Sequence, residues 1–289
     1  MTSEVMVARR GGSTLAAMAS DVLAAPGAGP LLRDWRRRRR LSQLDLALEA
    51  GISPRHLSFV ETGRSRPSAT MVLRLTEHLD VPLRERNQLL LAAGHAPVYG
   101  QRDLDEPAMG PVREAVELVL RAHEPHPALA VDRHWGLVAA NAAVGPLLEG
   151  AAAHLLEPPV NVLRLSLHPE GLAPHIANLT QWKAHLVGRL ARQAAATGDP
   201  ALYALLAELR GYGPSVEGVA EPHAGVAVPL RLRAGAGAGE LALLSTVTTF
   251  GTATDITAAE LSIESFFPAD AATAAALRGP DPLSGATEI

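Results

Sequence analysis

Several residue types and patterns are missing from this 289-residue sequence. It contains no cysteine, which excludes disulfide bonds, thiolate metal sites and cysteine nucleophiles and fits a reducing compartment. No stretch reaches the roughly 18 consecutive apolar residues of a membrane-spanning helix. Arg9 and Arg10 precede an alanine-rich stretch, as in an export signal, but serine, threonine and aspartate residues interrupt that stretch. We therefore expect a cytoplasmic protein without membrane insertion.

Recognisable catalytic and metal-binding motifs are missing as well. The sequence has no HExxH, no GxSxG and no Walker loop. We therefore expect that the protein is not an enzyme and has no catalytic residues. His123, His126 and His134 lie around Pro125, but no carboxylate stands at a useful spacing, and we expect no metal. The alternating alanines and glycines at 234–239 lie between two strand-like runs, which indicates a hairpin connection and not a phosphate loop.

Charge is distributed unevenly along the chain. Hydrophobic residues make up 47% of the sequence, which is enough for a sizeable core, and the length suits two domains. Residues 31–94 contain 12 arginines against 7 acidic residues, whereas residues 95–289 contain 11 arginines and one lysine against 21 acidic residues. A basic module joined to an acidic one suggests that the basic module meets a polyanion. The run 36–40 of five arginines could equally be the solvated face of a helix.

The pattern within the basic module predicts five short helices. Pro30 suits the first turn of the first helix, Ser42 is a good N-cap for the second, and Ser53 caps a third helix that has Pro54 at its first position. In the second helix, Leu44, Ala47 and Leu48 share one face. Two further helices follow, and glycines at 51, 63 and 94 end the second, third and fifth helices. A tight glycine turn between the second and third helices is typical of a helix-turn-helix.

The segment 39–81 resembles the helix-turn-helix of the XRE (Cro/C1) family. The spacing of six features carries the resemblance: Ser42-Gln43, Ala47, Gly51, Glu61, Gly63 and Pro67. It implies a double-stranded DNA partner, and a homodimer is expected because one helix reads few base pairs. The residues expected to contact DNA are Gln43, Ser53, Arg55, His56, Ser58, Phe59 and Arg64.

Within this expected DNA surface, the resemblance assigns Gln43 to a phosphate and the start and face of the third helix to base edges. It also pairs Arg36 with Glu61, which ties the first helix to the third. An arginine in the first turn of such a helix can bond guanine with two N–H groups. Alternatives stay open, since Arg55 could contact phosphate or solvent and Phe59 could fill the core. Pro54 stands where many relatives carry a polar residue that contacts a base.

The second half of the sequence predicts an α+β domain. Residues 95–110 are rich in proline, glycine and acidic residues, which indicates a linker. An amphipathic helix, two short apolar runs with an intervening turn, a helical middle and two strand-like runs follow. We therefore divide the chain into a flexible N-terminal extension (1–29), a DNA-binding domain (30–94), a linker (95–110), a second domain (111–277) and a C-terminal tail (278–289).

Residues 111–277 resemble the ligand-binding domain of MmyB-like regulators. The resemblance is carried by VDRHWGLVAANAAVGPLL, NVLRLSLHP, QWKAHLVGRLARQ and the closing segment that ends in SFFPADAATAAAL. It implies a PAS-like α+β fold, in which an antiparallel sheet and helices enclose a pocket that holds a fatty-acid-like molecule in some members. Apart from such a ligand, no cofactor is expected. The chain as a whole is then α+β, with an all-α five-helix domain preceding the PAS-like domain.

Candidate ligand contacts lie on the long middle helix. Trp182, His185 and Arg189 share one face, which could hold an apolar ligand with an anionic head beside Arg189. Asn141 is either a ligand contact or a helix cap. Alternatively, Trp182 is a residue of the hydrophobic core without contact to a ligand, and Arg189 pairs with a surface acid. The acidic domain would then be a protein-interaction module without a small-molecule ligand, and the volume of any apolar pocket separates the two hypotheses.

Overall fold

The computed structural model describes residues 27–215, 228–233 and 239–278. It divides into two compact units, residues 1–99 and residues 100–289, and the boundary falls inside the segment predicted as a linker. Most of the expected N-terminal extension and C-terminal tail lies outside the described residues. In the part of the chain that is described, no helix is long and apolar enough to cross a membrane.

The first unit contains the five predicted helices. They are α1 (Ala28–Arg38), α2 (Gln43–Glu49), α3 (Pro54–Glu61), α4 (Ala69–His78) and α5 (Leu83–Ala92). The side chains of Ser42, Ser53 and Ser68 each accept a hydrogen bond from a backbone N–H in the first turn of α2, α3 and α4. These bonds satisfy donors that have no partner within the helix, so the polar residues that precede each apolar run fix where each helix begins.

Helix α1 begins two residues before Pro30, and Gly29 explains how it packs. A Cβ atom built on Gly29 would lie 2.3 Å from the carbonyl oxygen of Val60 and 2.9 Å from that of Glu61. Only a glycine allows the start of α1 to approach the end of α3 so closely. This contact, together with the buried Leu32 and Trp35, attaches α1 to α3.

The face of α2 that Leu44 and Leu48 share is exposed. Leu46 and Ala47 are buried, whereas Leu44 and Leu48 are 54% and 69% exposed. The helix carries apolar residues on two faces, and Leu46 continues in register to the buried Ala50 at i+4, which joins the core of the unit. A seven-residue helix is too short for its periodicity to decide between the two faces.

Each side of the boundary at residue 99 is hydrogen-bonded within its own unit. Asn87 of α5 accepts bonds from the backbone N–H groups of Val98 and Tyr99 and donates to the carbonyl oxygen of Tyr99. In the second unit, Gly100 forms a parallel bridge with Asp255, and Arg102 forms a salt bridge with the carboxylate of Asp255. Most of the segment expected to be a linker is therefore attached to one unit or the other.

The second unit is built on a five-stranded antiparallel sheet with the order β2-β1-β5-β4-β3. Its strands are β1 (Ala128–Val131), β2 (Leu137–Ala140), β3 (Leu230–Arg233), β4 (Glu240–Thr249) and β5 (Ser262–Pro268). The two short apolar runs form the paired strands β1 and β2, and the described parts of the two later strand-like runs form β3 and β4. The central strand β5 was not predicted, because four successive residues of it are buried and its sequence does not alternate between apolar and polar residues.

Helices cover both faces of this sheet. They are α6 (Gly110–Ala122), α7 (Val162–Leu167), α8 (Leu179–Thr197), α9 (Pro200–Arg210), α10 (Ile256–Ala259) and α11 (Ala271–Arg278). Helix α6 packs Val116 and Leu120 against Ala128, Ala130 and Ile263. The main core lies on the opposite face, where α7, α8 and α9 meet β3, β4 and β5. The helical middle expected from the sequence thus forms the cover of the larger core.

Candidate DNA-binding face and ligand cavity

Helix α3 presents a polar surface in the first unit. Ser53 and Arg55 are exposed at its start, and His56, Ser58 and Phe59 are half-buried. The Ser53 hydroxyl accepts a bond from the backbone N–H of His56, so Ser53 is the N-cap of the helix. The structure thus places the expected base-reading residues on one helix.

Phe59 lies outside the core of the first unit. The guanidinium carbon of Arg55 is 5.4 Å from the centre of its ring, and that of the exposed Arg64 is 5.9 Å away. Both distances suit cation–π contacts. The ring is therefore held at the surface between two arginines, and the alternative that it fills the core does not apply.

Glu61 connects three helices behind this face. Its carboxylate accepts bonds from Arg36 Nε at 2.6 Å, Arg36 Nη2 at 2.8 Å and Gln43 Nε2 at 2.7 Å. Burial alone would raise the pKa of Glu61, but hydrogen bonds from Arg36 and Gln43 outweigh burial and lower the pKa. The expected Arg36–Glu61 pair is present. Gln43 uses one amide N–H on Glu61 and keeps a second that can donate to a phosphate.

The arginine run at the end of α1 is partly structural. Arg38 and Arg39 lie 4.9 and 5.5 Å from the centre of the Trp35 ring. Arg39 also donates to the carbonyl oxygens of Leu79 and Asp80, which follow α4. The run is therefore more than a solvated face, because these arginines tie α1 to the end of α4 and cover the indole.

An apolar cavity of about 80 Å³ lies between the sheet and the covering helices of the second unit. Trp182 and Leu186 of α8 line it, and the indole N–H of Trp182 donates to Ser166 Oγ at 3.0 Å. Glu264 of β5 also lines it. The other lining residues are apolar: Pro127, Leu129, Leu137, Val144, Leu147, Leu148, Val162, Leu163, Leu165, Leu172, Leu230, Leu232 and Phe266.

Arg189 does not line this cavity. Its Nη1 donates to Glu264 Oε1 at 2.9 Å, and its guanidinium carbon lies 4.4 Å from the centre of the Trp135 ring. Its charge is thus already compensated by Glu264, whose side chain is only 7% exposed. Glu264, and not Arg189, lines the cavity, and Arg189 bonds Glu264. This arrangement differs from the direct contact between Arg189 and an anionic ligand head that the sequence suggested.

The two remaining sequence candidates lie beside the cavity and organise its surroundings. The His185 ring stacks on Trp182 with centroids 5.5 Å apart. Asn141 is buried, its Oδ1 accepts from the backbone N–H of Ala128, and its Nδ2 donates to the carbonyl oxygen of His126. Asn141 occupies the N-cap position of a 3₁₀ segment but makes no side-chain cap there. It fixes the backbone next to β1, so it is not a helix cap, and it lines neither of the two cavities described here.

A second, larger cavity of about 400 Å³ adjoins the first. The two share Leu147 and Leu232, and the second also carries Arg233, His175 and Glu149. Sequence reasoning missed these three residues. The alternation in β3, where leucines are buried and arginines exposed, is the signal that could have singled out Arg233. The remaining lining residues are Pro125, Ala143, Pro146, Leu241, Ala276 and Leu277.

Comparison with protein families identifies both domains. Residues 112–279 match the model of the MmyB-like transcription regulator ligand binding domain, which covers more than half of the chain. The chain belongs to the MmyB-like transcription regulators. Residues 32–86 match a helix-turn-helix family. This member of the MmyB-like family therefore combines a DNA-binding domain with a ligand-binding domain, and neither matched family is an enzyme family.

Other comparisons add little. A comparison with curated proteins gives no match. Among solved structures, the chain is similar to one described as "Structure of an RNA-binding Light-Oxygen-Voltage Receptor", with 16% sequence identity and a TM-score of 0.26. The likeness covers 91% of this chain and 65% of that one, so the regulator spans less than two thirds of the other chain. A likeness this weak carries no conclusion about fold or function.

One cluster in this MmyB-like regulator has the composition of a metal site. Ligand atoms of His154, His168 and Glu170 lie within 4.8 Å of one another. The backbone N–H of Glu170, however, already donates to His168 Nδ1 at 3.1 Å, which leaves the proton of a neutral ring on Nε2. Two of the histidines considered from the sequence bond different groups: His123 bonds the carbonyl oxygen of Phe266, and His134 bonds the carboxylate of Asp199. We assign no metal to either group.

Proposed function

We propose that this regulator binds a specific operator as a homodimer in the cytoplasm and changes its DNA affinity when its second domain binds a hydrophobic, fatty-acid-like molecule. The observation that carries the proposal is the cavity inside the matched ligand-binding domain, whose lining is apolar apart from Ser166 and Glu264. Small-molecule sites typically combine an apolar lining with a few polar groups. The DNA side rests on the exposed start of α3.

The proposed DNA contacts follow from the chemistry of each side chain. Arg55 stands at an exposed helix N-terminus, where its guanidinium can bond O6 and N7 of guanine. Phe59, between Arg55 and Arg64, can contact the methyl group of thymine. His56 and Ser58 complete the base-reading set. Gln43, Ser53 and Arg64 contact phosphates, which fix the position of the helix but carry little sequence information.

The DNA part is tested by selecting an operator from random duplexes with the full chain and titrating variants against it. Arg55→Ala should lower operator affinity by roughly 1–3 kcal/mol and random-DNA affinity far less. Gln43→Ala should weaken binding to all sequences about equally. Equal losses on operator and random DNA for Arg55→Ala would remove the base-reading role. Binding should also fall steeply with salt as arginine–phosphate contacts release counterions, and a flat dependence contradicts the assignment.

The ligand part is tested by native mass spectrometry of the purified full chain before and after denaturation, followed by titration with saturated carboxylic acids. We expect a bound small molecule that is lost on denaturation, or saturable binding of an acyl chain. If neither is observed, the domain functions as a protein-interaction module without a small-molecule ligand. Sedimentation of the chain with and without operator DNA tests the dimer, and a strictly monomeric complex contradicts it.

A further inference from the structure

The two cavities of the ligand-binding domain form an inner and an outer chamber with a common wall. The inner chamber is the apolar cavity of about 80 Å³, and the outer chamber is the cavity of about 400 Å³. Leu147 and Leu232 line both. Drug-sized ligands occupy roughly 300–1,000 Å³, so the inner chamber alone is too small for a long chain, whereas the outer chamber falls within that range.

The outer chamber holds cationic and hydrogen-bonding groups on one side. His175 precedes Ile176, which forms an isolated antiparallel bridge with Leu232, and both His175 and Arg233 line the outer chamber. The Nη1 atom of Arg233 donates to the carbonyl oxygen of Pro174 at 3.0 Å, which holds the guanidinium beside His175. Among the described residues, Arg233 has no acidic partner. The charge of Arg189, in contrast, is compensated by Glu264.

A charged ligand head is therefore better accommodated in the outer chamber than beside α8. Near the inner chamber, an anion would have to displace Glu264 from Arg189 or lie next to a buried carboxylate, and both cost free energy. In the outer chamber, an anion can bond Arg233 directly while its apolar tail passes Leu147 and Leu232. Glu149 on the same rim opposes an anion, so the head must lie on the Arg233 side.

We propose that the outer chamber is the head-group site of an amphipathic carboxylate, with Arg233 bonding the carboxylate, His175 donating a further hydrogen bond, and the alkyl tail directed toward the inner chamber. This inference rests on the proposed ligand-sensing function and deepens it. It assigns the recognition of charge to β3 and the segment paired with it, and it gives Arg189 a structural role on the opposite side of Glu264.

The test compares an acid with the matching alcohol. Decanoate and decan-1-ol are titrated by calorimetry into the full chain and into Arg233→Gln, His175→Phe and Glu149→Gln variants. The matched control is Arg231→Gln, since Arg231 lies on the same strand and the same face, pairs with Glu240 at 3.6 Å and does not line the chamber. Melting temperatures and circular dichroism confirm that each variant is folded.

Arg233→Gln should weaken decanoate binding about tenfold or more, because a charge-assisted bond is lost, and leave decan-1-ol binding nearly unchanged. His175→Phe should show a smaller acid-selective loss, Glu149→Gln a gain for decanoate, and Arg231→Gln little change for either ligand. Equal acid affinity in wild type and Arg233→Gln overturns the head-group site while leaving the sensor intact. Failure of the wild type to bind both decanoate and decan-1-ol overturns the sensing function itself.

Discussion

Each of the two units contains an arginine–glutamate pair that joins distant elements, and the two pairs differ in what surrounds them. Arg36 and Glu61 make two bonds with each other, a third comes from Gln43, and the group lies behind the DNA-binding face. Arg189 and Glu264 make a single bond in which Glu264 borders an apolar cavity. The first pair is a closed structural unit, whereas the second stands where ligand occupancy can alter it.

The largest effect is expected when the Glu61 side of the first pair is removed. Glu61→Ala leaves the nearly buried guanidinium of Arg36 without its partner, which should cost about 3–5 kcal/mol of the free energy of unfolding of the first unit. Urea denaturation measures the loss. Arg36→Met combined with Glu61→Leu should recover much of it, because no unpaired charge remains. A single Glu61→Ala variant as stable as wild type would show that the pair does not join α1 to α3.

A smaller loss is expected for the second pair. Arg189→Leu leaves Glu264 unpaired at the wall of the cavity and should destabilise the second unit by about 2 kcal/mol, less than the first pair because the Arg189 side chain is 24% exposed. Adding Glu264→Gln to Arg189→Leu should restore most of the stability. Thermal unfolding of the wild type and the two variants measures these changes. An undiminished melting temperature in Arg189→Leu would show that the Arg189–Glu264 pair contributes little to the stability of the second unit.

A further test in the second unit uses pH. Burial alone would raise the pKa of Asp199, but hydrogen bonds from His134 and Arg133 outweigh it and bring the pKa to about 2, below its ordinary value of 3.8. The stabilisation is therefore fully present above about pH 4 and disappears as the pH falls toward 2, a loss of about 2 kcal/mol. Urea denaturation between pH 6 and pH 2.5 measures it. Asp199→Asn keeps the cap of α9 and should flatten that part of the profile, so an identical profile in this variant would exclude Asp199 as the source.

The smallest effect is expected on the exposed face of α2. Leu48 is 69% exposed, so Leu48→Ser should change the free energy of unfolding by no more than about 0.5 kcal/mol. Leu46→Ala, at a fully buried position two residues away, is the matched comparison and should cost about 2–5 kcal/mol. Chemical denaturation of both variants separates the two faces. A large loss for Leu48→Ser would contradict the assignment of Leu48 to the exposed face.

The first unit could be predicted closely because its determinants are local. Caps at Ser42, Ser53 and Ser68, glycines after the helices and a proline at position 54 act within one turn of the residues they affect. Each of these signals is visible in a few consecutive residues. Even here, α2 was too short for its apolar pattern to identify the buried face.

The second unit depends on contacts that are distant in sequence. Strand β5 pairs Ser265 with Ala128, 137 positions earlier, and nothing local marks it as the centre of the sheet. From the sequence alone, Glu264 resembles an ordinary surface acid, and only the structure shows that it lies between Arg189 and the cavity. Lys183, the single lysine of the sequence, is buried and donates to the carbonyl oxygens of Arg210, Tyr212 and Pro214. The pattern predicts the class of this domain, but the geometry of its cavities required the structure.

The measurement that tests the central claim most directly is operator affinity with and without ligand in the same full-length protein. Fluorescence anisotropy of the selected operator is recorded at fixed salt in the absence of decanoate and at a saturating concentration of it. Coupling between two sites usually amounts to about 5- to 150-fold, and we expect a change within that range that is lost in Arg233→Gln at the same decanoate concentration. An operator affinity that is identical with and without bound decanoate would contradict the account of a ligand-responsive regulator.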